Sequence, residues 1–205
     1  FGYTNDPTAI VAIYYYNGGY IFDEITFQKG LSNKQIADIL VNLPSALVIA
    51  DSAEPKSIDE IKSFGVNIIP ATKGPGAVLQ RIQAVQARLR IAGDGKPRLF
   101  LMRGSLVDTD SSLVEEKKPT STEDEFPGYV WPKGQDGKPL KEVPVDENNH
   151  ALDCVRRFGG VLEHPAYSLA WSRFELAKPA GAGWTRSLTD DGWTCEVDQR
   201  WYGHE

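Results

Sequence analysis

With 205 residues, 41% of them apolar and 24% charged, the chain is long enough for one large domain, or for a domain of about 150 residues with an appendage. No run approaches the roughly 18 apolar residues of a membrane span, and the N-terminus has neither the basic nor the apolar region of a signal peptide, so the expectation is a cytoplasmic protein with no membrane partner. A formal charge of −6 excludes a surface that binds nucleic acid everywhere, while leaving room for a local basic groove beside an acidic metal site.

The chain opens mid-pattern. Phe1-Gly2-Tyr3 runs at once into the turn residues Thr4-Asn5-Asp6-Pro7, as at the tail of a strand that begins upstream, and the chain reads as a fragment. Thr8 to Tyr16 is rich in β-branched and aromatic residues, and Asn17-Gly18-Gly19 returns it into Tyr20 to Phe27, which predicts a β-hairpin. Asp23 and Glu24 fall in the second strand, where the plain reading is of solvent-facing acids on a sheet edge. Ser32-Asn33 caps a helix over Leu31 to Leu43, with Ile36, Ile39, Leu40 and Leu43 at helical spacing.

Ala46 to Ala50 is a short apolar strand that delivers Asp51 at its carboxyl end, the edge where α/β sheets gather their chemistry. Ser57 and Glu60 have the spacing of a capping box for a short helix that ends at Gly65, and Val66 to Ile69 is the next strand. Pro75 to Ala92 repeats Val78, Ile82, Val85 and Leu89 on one face, a long amphipathic helix, and Arg98 to Met102 is the last core strand. From Gly104 to Asn149 the periodicity weakens. Leu113 to Lys118 is a short helical stretch, and Gly128 to Val145 carries a Gln135-Asp136-Gly137 turn that suggests an exposed hairpin. Helical spacing resumes over Asn148 to Phe158, with Ala151, Leu152 and Val155 inward and His150 and Asp153 together on one face. Hairpin strands followed by alternating helices and strands predict an α/β fold, a mixed sheet flanked by helices.

Three blocks, FGYTNDPTAIVAIY, VIADSAEPKSIDEIKSFGVNIIPATKGPGAV and PVDENNHALDCVRR, resemble successive blocks of the nuclease domain of the phage terminase large subunit, the DNA-packaging motor that cuts concatemeric viral DNA. The resemblance covers about residues 1–157. It implies a ribonuclease H-like fold whose acidic cluster holds divalent metal, two Mg²⁺ or Mn²⁺ ions, with Asp51 as the second acidic ligand and Asp153 as the third. The first is expected just ahead of Phe1. On its own an aspartate after a strand is more often a turn former or helix cap than a ligand; the resemblance is what makes Asp51 and Asp153 catalytic and metal-binding candidates. Hard oxygen donors suit Mg²⁺ or Mn²⁺, whereas thiolate and imidazole sets suit zinc. Glu54 and His150 are candidates for a supporting place beside the ligands, the bland readings being a loop acid and a partly exposed helix residue.

A groove for double-stranded DNA needs positive charge. Lys73, Arg81, Arg88, Arg90, Lys96, Arg98 and Arg103 face only Asp94 between Ala71 and Arg103. Phosphate contacts carry no sequence information, which suits an enzyme that cuts DNA of any sequence. Lys56, Lys73 and Arg81 are the preferred contacts, against the alternative of a solvated helix face. Lys73-Gly74-Pro75-Gly76 lacks the ending and spacing of a Walker A loop. The resemblance implies a terminase ATPase domain ahead of this segment, with the small terminase subunit and the portal as further partners, in a phage-infected or lysogenic bacterial host. The other function class is a catalytically inactive remnant or fusion that serves as a DNA-binding or packaging-assembly module.

Residues 158–205 break the pattern. After the late-helix aspartate, where the resemblance leads one to expect an alanine and then an arginine-tyrosine pair, stand Cys154, Val155, Arg156 and Arg157. Trp171, Trp184, Trp193 and Trp201 all fall in this aromatic-rich C-terminal appendage, in which Trp193 to Val197 reads as a strand. Cys154 and Cys195 lie in no C-x-x-C pair and read as reduced thiols, with a single bridge between them as the alternative. With His164 and His204 they match no zinc spacing.

Overall fold

The computed structural model describes residues 2, 5–16, 18–74, 77–106, 108–134, 138 and 144–163, with the backbone alone at 161–163, and the backbone of two strands, Thr185–Thr189 and Gly192–Glu196. The predicted hairpin forms from β1 (Thr8–Tyr16) and β2 (Gly19–Gln28), paired antiparallel. Gly18 takes the turn at φ 79°, a left-handed conformation that glycine adopts without strain. The remaining core elements are α1 (Asn33–Val41), β3 (Val48–Ala50), α2 (Pro55–Ser63), β4 (Ile68–Pro70), α3 (Ala77–Leu89) and β5 (Leu99–Leu101). After them come α4 (Ser111–Glu115), α5 (Thr122–Glu125), a 3-10 turn at Phe126–Gly128 and α6 (His150–Glu163).

The sheet is mixed and lies in two hydrogen-bonded pieces, β1-β2-β5 and β3-β4, with the β2-β5 and β3-β4 pairs parallel. The apolar faces predicted from helical spacing meet these pieces, except at Leu89, which ends α3 exposed. Ile36, Ala37, Ile58 and Ile61 of α1 and α2 pack with Ala50 and Ile68, and Ile10 of β1 reaches the same cluster. Val85 of α3 and Leu152, Val155 and Phe158 of α6 pack with Phe22 and Leu99 of the three-stranded piece. The architecture is the expected α/β one, a mixed sheet flanked by helices. No helix among the described residues is long and apolar enough to cross a membrane.

Several local expectations need correction. Asp23 and Glu24 are buried, at 4% and 5% exposure, because β2 is flanked by β1 and β5 rather than forming an edge. The β1-β2 register shifts between Ile10 and Val11, leaving Ile25 unpaired, a bulge that locally breaks the in-out alternation of the strand. Burial raises both carboxyl pKa values, with Ser105 and Tyr14 opposing at Asp23 and Thr122 at Glu24. The Ser57-Glu60 capping box does not form, since Pro55 opens α2 after Glu54 and puts Ser57 inside the helix. Glu60 instead accepts from the Asn33 side chain at 2.7 Å. The capping box of this fold is Ser32 with Gln35, at the start of α1.

Other expectations shift by a few residues. Gly65 follows α2 at φ 92°, as a helix-ending glycine should. The short helix expected at Leu113 starts earlier, capped by Asp110. Val145 N–H donates to the Val130 carbonyl at 2.9 Å, closing the base of the expected hairpin, whose turn 135–137 lies outside the described residues. The late helix runs on to Glu163. In the appendage, the strand expected from Trp193 is β7 (Gly192–Glu196), antiparallel to β6 (Thr185–Thr189); Trp171, Trp184, Trp201, His164 and His204 lie outside the described residues.

Where α3 and α6 cross, a Cβ on Gly159 would sit 2.4 Å from the Arg81 carbonyl oxygen. Backbone cannot retreat as a side-chain tip can, so Gly159→Ala should separate the two helices. The expected cost is about 1–3 kcal/mol, as for other overpacked sites, despite alanine's better helix propensity. Gly160→Ala meets only the Arg81 side chain, at 2.6 Å from Nε, and should cost less. Urea unfolding of the two variants checks the order.

Candidate metal centre

Asp51 follows β3 directly and folds back on its own backbone, Oδ1 accepting from Ala53 N–H at 3.1 Å. Asp153 sits in the first turn of α6, about a hundred residues later. The two meet at one side chain. Nη2 of Arg157 lies 3.0 Å from Asp51 Oδ2 and 3.5 Å from Asp153 Oδ2, so those oxygens are no farther apart than the sum of the two distances. That is within the roughly 8 Å over which two carboxylates can share a centre of closely spaced metal ions. Arg156 takes the other oxygen of Asp153, at 2.5 Å from Oδ1. Both arginines follow from helical spacing, three and four residues beyond the aspartate.

A series of buried contacts fixes the direction of α6 and hence the position of Asp153. Glu24 of β2 accepts from Thr122 N–H at 2.8 Å and from its hydroxyl at 2.6 Å, anchoring α5. Glu125, at the end of α5 and 0% exposed, accepts from the N–H groups of His150, Ala151 and Leu152 at 2.7, 2.9 and 2.8 Å. These are donors of the α6 N-terminus that have no partner within the helix. Burial pushes the Glu125 carboxyl up to about 8, with the three N–H donors pulling against it. Neither acid was singled out correctly by sequence reasoning, and α5, at four residues, is too short to announce itself by period.

The other candidates separate by position. Lys56 is exposed in the first turn of α2, and Lys73 is exposed just after β4. Ala71 N–H donates to the Ala50 carbonyl at 2.8 Å, which holds the start of the Lys73 loop against the strand end that carries Asp51. Arg81 serves that loop from within, donating to the Thr72 carbonyl at 2.5 Å and to its hydroxyl at 3.1 Å. Of the other basic residues, Arg88 donates to the Ala84 carbonyl, Arg98 pairs with Asp94 at 2.8 Å and Arg103 with Glu123 at 3.1 Å. Glu54 is an exposed residue ahead of α2. His150 points its Nε2 toward Asp6 Oδ1, 3.8 Å away, and burial lowers its pKa while Asp6 and Asp153 oppose. Cys154 is a free thiol that burial pushes up to about 11, which keeps it a neutral thiol rather than a reactive thiolate.

Whether these groups suit a metal turns on donor chemistry. Two carboxylates from different elements converge on one cation, and hard oxygens are the donors that Mg²⁺ and Mn²⁺ take. Ser52 Oγ, next to Asp51, is buried with no hydrogen-bond partner, an oxygen of the kind that a bound ion or its water would engage. Among the described residues no group of three or more His, Cys, Asp and Glu side chains is close enough to hold an ion. The donor type of the pair suits a hard divalent ion, of whose coordination shell it would supply a part.

No family model matches the chain. The large terminase subunit of Bacillus phage SPP1 is 29% identical over 163 residues, which are 76% of this chain and 33% of that protein, so the matched segment spans about a third of its relative's length. Among solved structures, the nuclease domain of the SPP1 large terminase, crystallised with bound Mn, is 26% identical and superposes with a TM-score of 0.52 over 77% of this chain and 80% of that one. Sequence blocks and fold agree: over about three quarters of its length the chain is similar to the phage terminase large subunit, and it has the ribonuclease H-like fold of that subunit's nuclease domain.

Proposed function

We propose that the chain is the nuclease module of a phage DNA-packaging machine, a divalent-metal-dependent endonuclease acting on concatemeric double-stranded viral DNA, with Asp51 and Asp153 as metal ligands. One observation carries the reading: two aspartates about a hundred residues apart share a single guanidinium nitrogen, at 3.0 and 3.5 Å, in a chain similar to a nuclease domain crystallised with bound Mn. When bound, divalent metal would supply an activated water and stabilise the leaving oxygen of the cut phosphodiester, with two ions as the expected number. Asp51 and Asp153 would hold the metal, with any further ligand coming from a residue other than these two. Lys56 and Lys73, exposed near the same sheet edge, grip phosphates whatever the sequence. Arg81 acts through the Thr72 loop that it fastens. His150 supports the site from the start of α6, and Glu54 stays a loop acid. In this reading residues 1–157 are the nuclease domain and 158–205 an appendage, and the ATPase domain, the small subunit and the portal are the partners.

A second reading has its own support. Arg156 and Arg157 already balance the charge of the two aspartates, as in a remnant that binds DNA or partners without cutting. Supercoiled plasmid incubated with Mn²⁺, in parallel with EDTA and with Asp51→Ala, separates the two. The enzyme reading expects metal-dependent nicking that Asp51→Ala abolishes. Nicking absent from the chain, and still absent when an acid-bearing strand is joined ahead of Phe1, supports the remnant.

A further inference from the structure

We propose that Arg157 is an internal counter-ion lodged between Asp51 and Asp153, and that a divalent ion binds this pair only by displacing it. The inference rests on the metal-site reading and goes beyond it, since it assigns a competitor to the site. Each aspartate offers one outer and one inner oxygen. The outer ones are engaged elsewhere, Asp51 Oδ1 by Ala53 N–H at 3.1 Å and Asp153 Oδ1 by Arg156 at 2.5 Å. Both inner ones, the Oδ2 atoms, face the same Nη2 of Arg157. An ion bound to these two oxygens would need to lie about 2.1 Å from each, in the region the guanidinium nitrogen occupies. Two cations cannot share that space.

Charge points the same way. Two carboxylates against two guanidinium groups leave the cluster neutral, and the Arg157 side chain is only 16% exposed, so solvent screens it poorly. A divalent ion entering beside both arginines would give the cluster a net double positive charge in a partly desolvated place. Arg156 can stay, because it holds the outer oxygen. Arg157 is the group whose departure both frees the inner oxygens and restores the electrostatic attraction for the ion. Its long, jointed stem lets the guanidinium swing aside without unwinding α6.

Mn²⁺ binding to the whole chain, followed by the electron paramagnetic resonance of free Mn²⁺, tests this without reference to cleavage. Arg157→Gln should bind Mn²⁺ roughly tenfold more tightly than wild type, within the range by which groups around a ligand tune metal affinity. In EDTA the same variant should melt at a lower temperature, since its two carboxylates lose their shared cation. Arg157→Lys, which keeps the charge on a slimmer head, should fall between the two and serves if the glutamine variant folds poorly. An affinity equal to or weaker than wild type in both variants would overturn the proposal and mark Arg157 as a structural tie alone. Asp51→Asn gives the separate control. If it leaves Mn²⁺ binding unchanged, the metal-site reading itself has failed, whereas if it weakens binding while the Arg157 variants do nothing, only the counter-ion idea falls.

Discussion

Glu125→Ala is expected to lower the stability of the chain by about 4 kcal/mol, the scale of breaking a fully buried polar network. The substitution removes the acceptor of three backbone N–H groups at the start of α6. Ala151 and Leu152, which carry two of them, are 0% and 4% exposed, so water cannot readily take the carboxylate's place. Each buried donor left without a partner costs about 1–3 kcal/mol, and the losses are not fully additive. Against a total stability of about 5–15 kcal/mol the effect is large, and it should lower the urea midpoint by roughly 2 M. Glu125→Gln keeps the shape and one acceptor oxygen, and should cost about half as much. A midpoint for the alanine variant within a few tenths molar of wild type would show that α6 is held by its apolar face alone.

Asp153→Asn should reduce metal-dependent cleavage on the order of 10²–10³-fold, the scale of losing one preorganised electrostatic group, while leaving the fold nearly intact. The amide is the same size, and its oxygen can still accept from Arg156, which now stands at 2.5 Å. What is lost is the negative charge, which a hard divalent ion needs, and the contact of Oδ2 with Arg157, which keeps Asp51 as a partner at 3.0 Å. A stability screen should therefore find a small change, and the cleavage assay a large one. If both fell together, Asp153 would be a residue of the fold. Glu125 positions the helix, whereas Asp153, in the first turn of that helix, carries the proposed chemistry.

The elements that sequence disclosed are those whose pattern repeats. The β-branched and aromatic run of Thr8–Tyr16, the Asn17-Gly18-Gly19 turn and the spacing of Val78, Ile82 and Val85 each follow from local geometry, and so does the delivery of Asp51 at the end of a short apolar strand. Arg156 and Arg157 stand in the sequence only as a departure from the resemblance, although their spacing of three and four residues beyond Asp153 suits ion pairs on a helix. The fates of Glu24, Asp23 and Glu125 were not legible. Whether an acid on a strand is exposed depends on what covers it, and here β5, some 75 residues on, and the four-residue α5 do so. Arg81 shows the same limit: its tie to Thr72, and the close approach of α6 to its backbone, depend on a crossing that no spacing encodes.

The central claim, that Asp51 and Asp153 hold one metal centre, is tested most directly by anomalous diffraction from crystals of the chain grown with Mn²⁺. The account predicts a peak about 2.1 Å from a carboxylate oxygen of each aspartate, the distance hard divalent ions keep to oxygen, with the Arg157 guanidinium turned away from its present contacts at 3.0 and 3.5 Å. A manganese peak at other acids, with Asp51 and Asp153 still joined through Arg157, would contradict it.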